Sequence, residues 1–123
     1  MTSHKPRIIC VDDHEDTCFM LSPLFGQMGY DVLTTGDPEE ALRLAAEGRF
    51  DLFVLDGHYR GVSRLDLCAR VRELDPHARV IFYSGAAQET ERAKGLAAGA
   101  SAYVVKPDIK GLMAAVRKLL AAA

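Results

Sequence analysis

The fold is decided by residues 8–13, Ile-Ile-Cys-Val-Asp-Asp, where a short apolar run ends at two consecutive carboxylates. Three later runs repeat this pattern of an apolar segment followed by a polar residue. They are Leu52–Leu55 before Asp56, Val80–Tyr83 before Ser84, and Tyr103–Val105 before Lys106. Apolar runs this short, separated by helical patterns, are typical of buried parallel strands. The four runs therefore predict a parallel sheet of the α/β class.

The segments between the runs have the apolar periodicity and the end signals of helices. Asp37-Pro38 predicts a helix start, with Asp37 as the cap, Pro38 in the first helical position and Glu40 closing a capping box. Gly29 and Gly48 are expected to end the first two helices. The predicted strands cover roughly 7–12, 30–34, 51–55, 79–83 and 102–105, and the helices about 15–28, 38–47, 63–75, 87–98 and 108–121.

This alternation predicts a doubly wound five-stranded parallel sheet with five helices, because right-handed crossovers cover both faces of such a sheet. In the third helix, Leu67, Val71 and Leu74 are expected to share a buried face. The fourth helix is mostly alanine and charged residues, so its apolar stripe is thin and its packing should be weak.

Composition limits the classes of protein and partner. The chain has 123 residues, 49% of them hydrophobic, which predicts a single domain over 1–123 with a core of its own. No segment approaches the ~18 consecutive apolar residues of a membrane span, and the first residues lack a secretory signal, so a cytoplasmic location is expected if the chain is complete. The net charge of -2, without a basic stripe, argues against direct binding to nucleic acid.

The polar residues that end the apolar runs are the candidate site. In an open α/β sheet the ligand crevice lies outside the carboxyl ends of the strands. This places Asp12, Asp13, Asp56, Ser84 and Lys106 around one crevice. Carboxylates held close together raise one another's pKa unless a cation neutralises them. Oxygen ligands of this kind suit Mg²⁺, which uses one or two carboxylates together with waters and phosphate oxygens.

The same residues suit phosphoryl chemistry. Asp56 follows the most apolar run, and a carboxylate beside a metal can attack phosphorus to form an acyl phosphate. Ser84 could donate a hydrogen bond to the transferred group, and Lys106 offers a compact positive charge suited to phosphate. The Lys106-Pro107 bond is a candidate cis peptide, which could direct the lysine side chain inward.

These residues, in this order and spacing, resemble the receiver domain of two-component response regulators, including the chemotaxis-type single-domain receiver. The resemblance extends from Arg7 to Leu120. It is carried by these motifs: Asp12-Asp13, Asp56 after an apolar run, Ser84-Gly85, Tyr103, and Lys106-Pro107. It implies a flavodoxin-like fold with strand order 2-1-3-4-5.

The resemblance also implies a ligand set for Mg²⁺. Asp13 and Asp56 would ligate the ion directly, together with the backbone carbonyl of His58. Asp12 would hold a metal-bound water. The protein would then be a phosphoacceptor switch that catalyses its own phosphorylation and dephosphorylation, not an enzyme acting on a separate substrate.

The implied switch uses the remaining motif residues. Asp56 would accept a phosphoryl group from a sensor histidine kinase or a histidine phosphotransfer protein, and Ser84 and Lys106 would contact its oxygens. Tyr103 would be the aromatic residue whose rotamer couples phosphorylation to the surface of helix four, strand five and helix five. A downstream protein target would bind that surface. The addition of a ~2-minus group is sufficient to bias a bistable element of this kind.

The chain departs from the family pattern after Asp56. The family usually has Met-Pro where this chain has Tyr59-Arg60, and Gly where it has Arg64. The loop after strand three should therefore differ in shape, because a fixed φ and an easy positive φ are both lost. We hypothesise that His58 or Arg60 changes the lifetime of the acyl phosphate, which the dephosphorylation rate of His58→Asn would test.

Three alternative functions remain open from the sequence. A degenerate receiver would bind partners without phosphorylation. A Mg²⁺-dependent phosphohydrolase with an aspartyl-phosphate intermediate usually has a second Asp two residues after the nucleophile, where this chain has His58. A nucleotide- or flavin-binding module has less support, because residues 12–15 are acidic where a phosphate cradle is rich in glycine.

Overall fold

A computed structural model of the protein describes residues 5–48, 50–56 and 63–121. The described residues form five strands and five helices in strict alternation. The strands are β1 (Arg7–Val11), β2 (Asp31–Thr35), β3 (Leu52–Leu55), β4 (Arg79–Ser84) and β5 (Ala102–Val105). The helices are α1 (Glu15–Gln27), α2 (Pro38–Ala46), α3 (Arg64–Leu74), α4 (Glu89–Ala97) and α5 (Ile109–Leu120). Within the described ranges, no helix is long and apolar enough to cross a bilayer.

The sheet is parallel throughout, with strand order β2-β1-β3-β4-β5. The predicted doubly wound, flavodoxin-like fold is confirmed. In the register of the neighbouring inner strands β1 and β3, Val11 pairs with Leu55. The residues that follow them, Asp12 and Asp56, therefore lie side by side at the carboxyl ends of these two strands.

Two apolar layers cover the two faces of the sheet. Successive residues of β1 alternate between them: Ile9 packs in one layer with residues of α2 and α3, and Ile8 in the other with residues of α1 and α5. All four residues of β3 are buried. This two-sided burial explains why the inner strands are apolar runs without the polar alternation of a half-exposed strand.

The predicted helix starts are largely confirmed. Asp37 caps α2 by accepting a hydrogen bond from the Glu39 amide at 3.0 Å. The capping-box role of Glu40 was wrong, because the Asp37 amide donates to Thr35 Oγ1 at 3.1 Å instead. The hydroxyl of Thr35, two residues earlier at the end of β2, thus replaces the side chain expected from within the helix.

The predicted helix ends and buried faces are confirmed with one exception. Gly29 and Gly48 adopt φ values of 95° and 68° after α1 and α2, a conformation that glycine reaches without a Cβ clash. In α3, Leu67 and Val71 are fully buried, but Leu74 is 47% exposed. The last turn of α3 therefore extends beyond the layer that covers the sheet.

The weak packing predicted for α4 is visible in its buried surface. Among the described residues of α4, only Gly95 is buried. A Cβ atom at Gly95 would lie 2.9 Å from Phe82 Cδ2 and 3.0 Å from Tyr103 Cδ2. Helix α4 therefore contacts the sheet through its backbone at a point where two aromatic rings leave no room for a side chain.

Gly95→Ala is expected to destabilise the protein by up to about 2 kcal/mol. Overpacking a filled site costs roughly 1–3 kcal/mol, and the better helix propensity of alanine returns about 1 kcal/mol of that. Chemical denaturation measures the free energy of unfolding. Gly26→Ala in α1 is the matched control, since a Cβ there meets no atom within 4 Å. It should be neutral or stabilising, and equal effects of the two substitutions would contradict the prediction.

Candidate functional site

The ends of four strands converge at one rim of the sheet. Asp12 follows β1, Asp56 follows β3, Ser84 ends β4 and Lys106 follows β5. Asp12 and Asp56 are buried, at 5% and 6% exposure. The Lys106 ammonium lies 3.1 Å from Asp12 Oδ2 and 3.0 Å from Asp56 Oδ1. The convergence predicted from the sequence is confirmed, and one cation bridges two buried carboxylates.

The peptide bond between Lys106 and Pro107 is cis, as predicted. Beside it, an open cleft gives access to the buried carboxylate of Asp56. Lining residues of this cleft include His14, Thr17, Asp56, Ser84 and Lys106. The rim therefore has the acidic, hydroxyl and ammonium groups together at a surface that a small anion can reach.

His14 is a site residue that the sequence reasoning missed. Its imidazole Nδ1 lies 3.1 Å from Asp12 Oδ1, 3.2 Å from Asp13 Oδ1 and 3.5 Å from Asp56 Oδ2. The hydrogen bond to Asp12, followed by the charges of Asp12 and Asp13, raises the pKa of His14. Its position directly after two carboxylates was the available signal.

Burial and charge act in opposite directions on the Asp12–Lys106 pair. Burial raises the pKa of Asp12, and this outweighs the hydrogen bonds from the His14 amide and from Lys106 that lower it. For Lys106, burial lowers the pKa, but hydrogen bonds to Asp56 and Asp12 raise it further, so the net pKa is raised. The ammonium thus stays charged at neutral pH, and the ionised form of Asp12 is held at a cost.

Asp12→Asn is expected to raise the melting temperature of the metal-free protein at neutral pH. A pKa that is higher in the folded state contributes stability only at low pH, and that contribution is lost as pH rises through the folded value. The asparagine side chain carries no charge at any pH, so the variant does not lose this stability as the pH rises. Thermal melts in EDTA from about pH 4 to 8 should therefore show a gain that shrinks toward acid. Asp16→Asn, at an exposed carboxylate, should show no such gain.

The acidic cluster has the donor atoms for a divalent cation. Ligand atoms of Asp12, Asp13, His14 and Asp56 all lie within 4.8 Å of one another. Three of the four residues offer carboxylate oxygens, which fit a hard cation such as Mg²⁺. The predicted fourth ligand, the carbonyl of His58, lies outside the described residues, as do Tyr59 and Arg60.

Ser84 and Tyr103, the predicted switch residues, both form hydrogen bonds with the backbone of Ala86. The Ala86 amide donates to Ser84 Oγ at 3.2 Å, and the Tyr103 hydroxyl donates to the Ala86 carbonyl at 2.7 Å. The Tyr103 ring also packs against Phe82, with the ring centroids 6.1 Å apart. The structure thus brings the two side chains onto opposite sides of the same residue in the β4–α4 loop.

Arg64 is the second site residue that the sequence reasoning missed. In the sequence it differs from the family pattern and has no other distinguishing signal, yet it is buried at 7% exposure in the first turn of α3. Its Nη1 donates to Ser84 Oγ at 2.9 Å, and its Nη2 lies 2.7 Å from Glu91 Oε2 on α4. An arginine at a helix start is usually exposed, so nothing in the local sequence indicated this burial.

Comparisons with known proteins agree with this geometry. A model of the response regulator receiver domain matches residues 8–117. The transcriptional regulatory protein PrrA of Mycobacterium tuberculosis is 35% identical over 117 residues, which cover 94% of this chain and 50% of PrrA.

Solved structures give the same result. A LuxR-family two-component response regulator from Aurantimonas sp. SI85-9A1 superposes with a TM-score of 0.88 at 30% identity, covering 97% of this chain and 87% of that one. A chain of the CheX–CheY–BeF3–Mg²⁺ complex from Borrelia burgdorferi gives 0.86 at 26% identity, covering 94% and 89%.

The family model spans most of the chain and includes every described residue of the rim. The chain spans about half the length of curated relatives such as PrrA. The similarity thus concerns the unit that contains Asp12, Asp56, Ser84 and Lys106. The chain belongs to the receiver domain family of two-component response regulators.

Proposed function

We propose that the protein is a phosphorylation-controlled switch in which Asp56 accepts a phosphoryl group from a phosphohistidine donor. The observation that carries the proposal is the position of the Lys106 ammonium, 3.0 Å from Asp56 Oδ1 and 3.1 Å from Asp12 Oδ2. Phosphoryl transfer depends chiefly on positioning and charge neutralisation. A buried acceptor carboxylate, beside a second carboxylate and a shared cation, meets both requirements.

The transfer is a displacement at phosphorus. An Asp56 carboxylate oxygen forms the new O–P bond while the N–P bond of the donor breaks, and the electron pair remains on the donor imidazole. Asp12, Asp13 and Asp56 would hold Mg²⁺, which neutralises phosphoryl oxygens when bound. Lys106 supplies a second positive charge, and its ammonium has three donors, so it can contact the phosphoryl group in addition to Asp12 and Asp56.

The link from the site to the surface would pass through the β4–α4 loop. Ser84 can donate to the new phosphoryl group, and any shift of Ser84 is transmitted to Ala86, which accepts the Tyr103 hydroxyl bond. Tyr103 contacts the buried point of α4, where a Cβ on Gly95 would lie 3.0 Å from its ring. A downstream protein would bind the surface of α4, β5 and α5, whose shape these contacts control.

The donor would dock beside α1. Phe19 and Met20 of α1 are 75% and 43% exposed. Phe19 also lines an open groove that contains Asp12 and Asp13. An apolar contact at this position would place a phosphohistidine next to the acidic rim. A sensor histidine kinase or a histidine phosphotransfer protein is therefore the proposed partner.

Acetyl phosphate, a small phosphoryl donor, tests the proposed function. The wild-type protein incubated with acetyl phosphate and Mg²⁺ should gain the mass of one phosphoryl group, and excess EDTA should prevent the gain. Intact-mass spectrometry provides the measurement. No gain with Mg²⁺ would favour the degenerate receiver, which binds its partners without phosphorylation. Many turnovers on a phosphomonoester would instead indicate a phosphohydrolase.

A further inference from the structure

We propose that Arg64 is a positioning residue of the switch, which orients the Ser84 hydroxyl and is shared between the phosphorylation site and Glu91 of α4. The inference rests on the proposed function and extends it to a residue that the family pattern does not supply. On phosphorylation of Asp56, Arg64 would follow Ser84 toward the phosphoryl group and weaken its pair with Glu91, which releases α4.

Burial of the Arg64 guanidinium costs free energy. The Arg64 side chain is 9% exposed, and its ion-pair partner Glu91 is 32% exposed. A charge in this position is tolerated only when it is paired and hydrogen bonded. The planar guanidinium satisfies two partners at once, Ser84 on β4 and Glu91 on α4, a geometry that a lysine ammonium cannot reproduce.

The Ser84 hydroxyl has a limited hydrogen-bonding capacity. A hydroxyl accepts two hydrogen bonds and donates one. Ser84 Oγ already accepts from Arg64 Nη1 at 2.9 Å and from the Ala86 amide at 3.2 Å. Any further partner must therefore be an acceptor, and the oxygen of a phosphoryl group on Asp56 is one. Arg64 thus fixes the hydroxyl as a donor before the anion arrives.

Glu91 has a second partner besides Arg64. The Lys94 ammonium lies 3.6 Å from Glu91 Oε1, one turn further along α4. When Arg64 moves toward the anion, Glu91 keeps this partner within its own helix. The described residues of α4 bury only Gly95, and the pair between Arg64 and Glu91 joins the first turn of α4 to the first turn of α3.

Beryllofluoride, an inert phosphoryl mimic, tests the proposal through two readouts in the presence of Mg²⁺. They are the dissociation constant and the change in α4 amide chemical shifts on binding. Glu91→Gln keeps an acceptor for Arg64 but removes the competing charge, so it should tighten beryllofluoride binding about 5-fold and remove most of the α4 response. Glu89→Gln is the matched control, since Glu89 lies on the same helix and pairs with Arg92.

Arg64→Lys tests the shared guanidinium directly. It keeps the charge but loses the simultaneous contacts, so we expect weaker beryllofluoride binding and no α4 response. If this variant does not fold, Glu91→Gln still decides the question. That variant is expected to fold, because Glu91 is partly exposed and a glutamine side chain is nearly isosteric with glutamate. The inference is overturned if Glu91→Gln matches wild type and Glu89→Gln in both readouts. Wild-type protein that binds no beryllofluoride would instead overturn the proposed function, and this inference with it.

Discussion

Asp56→Asn is expected to abolish phosphorylation by acetyl phosphate, from one phosphoryl group per chain to none detectable. The amide is a poor nucleophile and carries no charge, so it can neither attack phosphorus nor ligate a cation as the carboxylate does. The substitution also removes one of the two carboxylates that the Lys106 ammonium contacts, so that the Asp12 carboxylate remains. Intact-mass spectrometry of the variant beside the wild-type protein, with Mg²⁺ present, measures the loss.

Asp51→Asn is the matched control for this experiment. Asp51 precedes β3, at the end of the sheet opposite the rim. Its carboxylate accepts a hydrogen bond from the Arg7 amide at 2.8 Å. The asparagine carbonyl can accept the same bond, so the variant should be phosphorylated like the wild-type protein. A mass gain that persists in Asp56→Asn would mean that another residue is the acceptor.

Lys106→Met is expected to slow phosphorylation by about 10²- to 10³-fold, the loss typical of removing one preorganised group that stabilises developing charge. The methionine fills similar space but leaves Asp12 and Asp56 without the ammonium that contacts both. Because that contact also lowers the pKa of Asp12, its removal should raise that pKa further. The initial rate of mass gain at saturating Mg²⁺ is the measurement.

Lys110→Met provides the same change of charge on the exposed surface of α5. Its phosphorylation rate should match that of the wild-type protein. A melting curve for each variant separates a slow site from an unfolded chain. A rate within about 3-fold of wild type in folded Lys106→Met would contradict the role of the ammonium in transfer, since so small a change is below the ~1.5–3 kcal/mol that a hydrogen bond to a charged group contributes.

The fold and the rim could be predicted because they depend on patterns that repeat. The inner strands are buried on both faces, so they appear in the sequence as uninterrupted apolar runs. Each run ends at the rim, which makes the next residue a site candidate whatever the intervening helices contain. This is why Asp12, Asp56 and Lys106 were placed correctly although 94 residues separate Asp12 from Lys106.

The residues that escaped prediction depend on side-chain direction. Arg64 reaches Ser84 and Glu91, which are 20 and 27 residues away, and no local pattern encodes those contacts. The His14 ring lies 3.1 Å from the Asp12 carboxylate, but an exposed residue at a helix start belongs to no periodic apolar pattern that would indicate this contact. Leu74 matched the helical period of its neighbours but lies beyond the end of the covered layer. In each case the deciding information is tertiary.

The rim is built from four separate strands, since Asp12, Asp56, Ser84 and Lys106 each come from a different one. A cation or phosphoryl mimic binds there only when all four strands are in place, that is, in the folded state. Binding therefore raises the free energy of global opening and leaves local fluctuations elsewhere unchanged. In amide hydrogen exchange, loading the rim should slow the most protected protons deep in the sheet, far from any atom that the ligand touches.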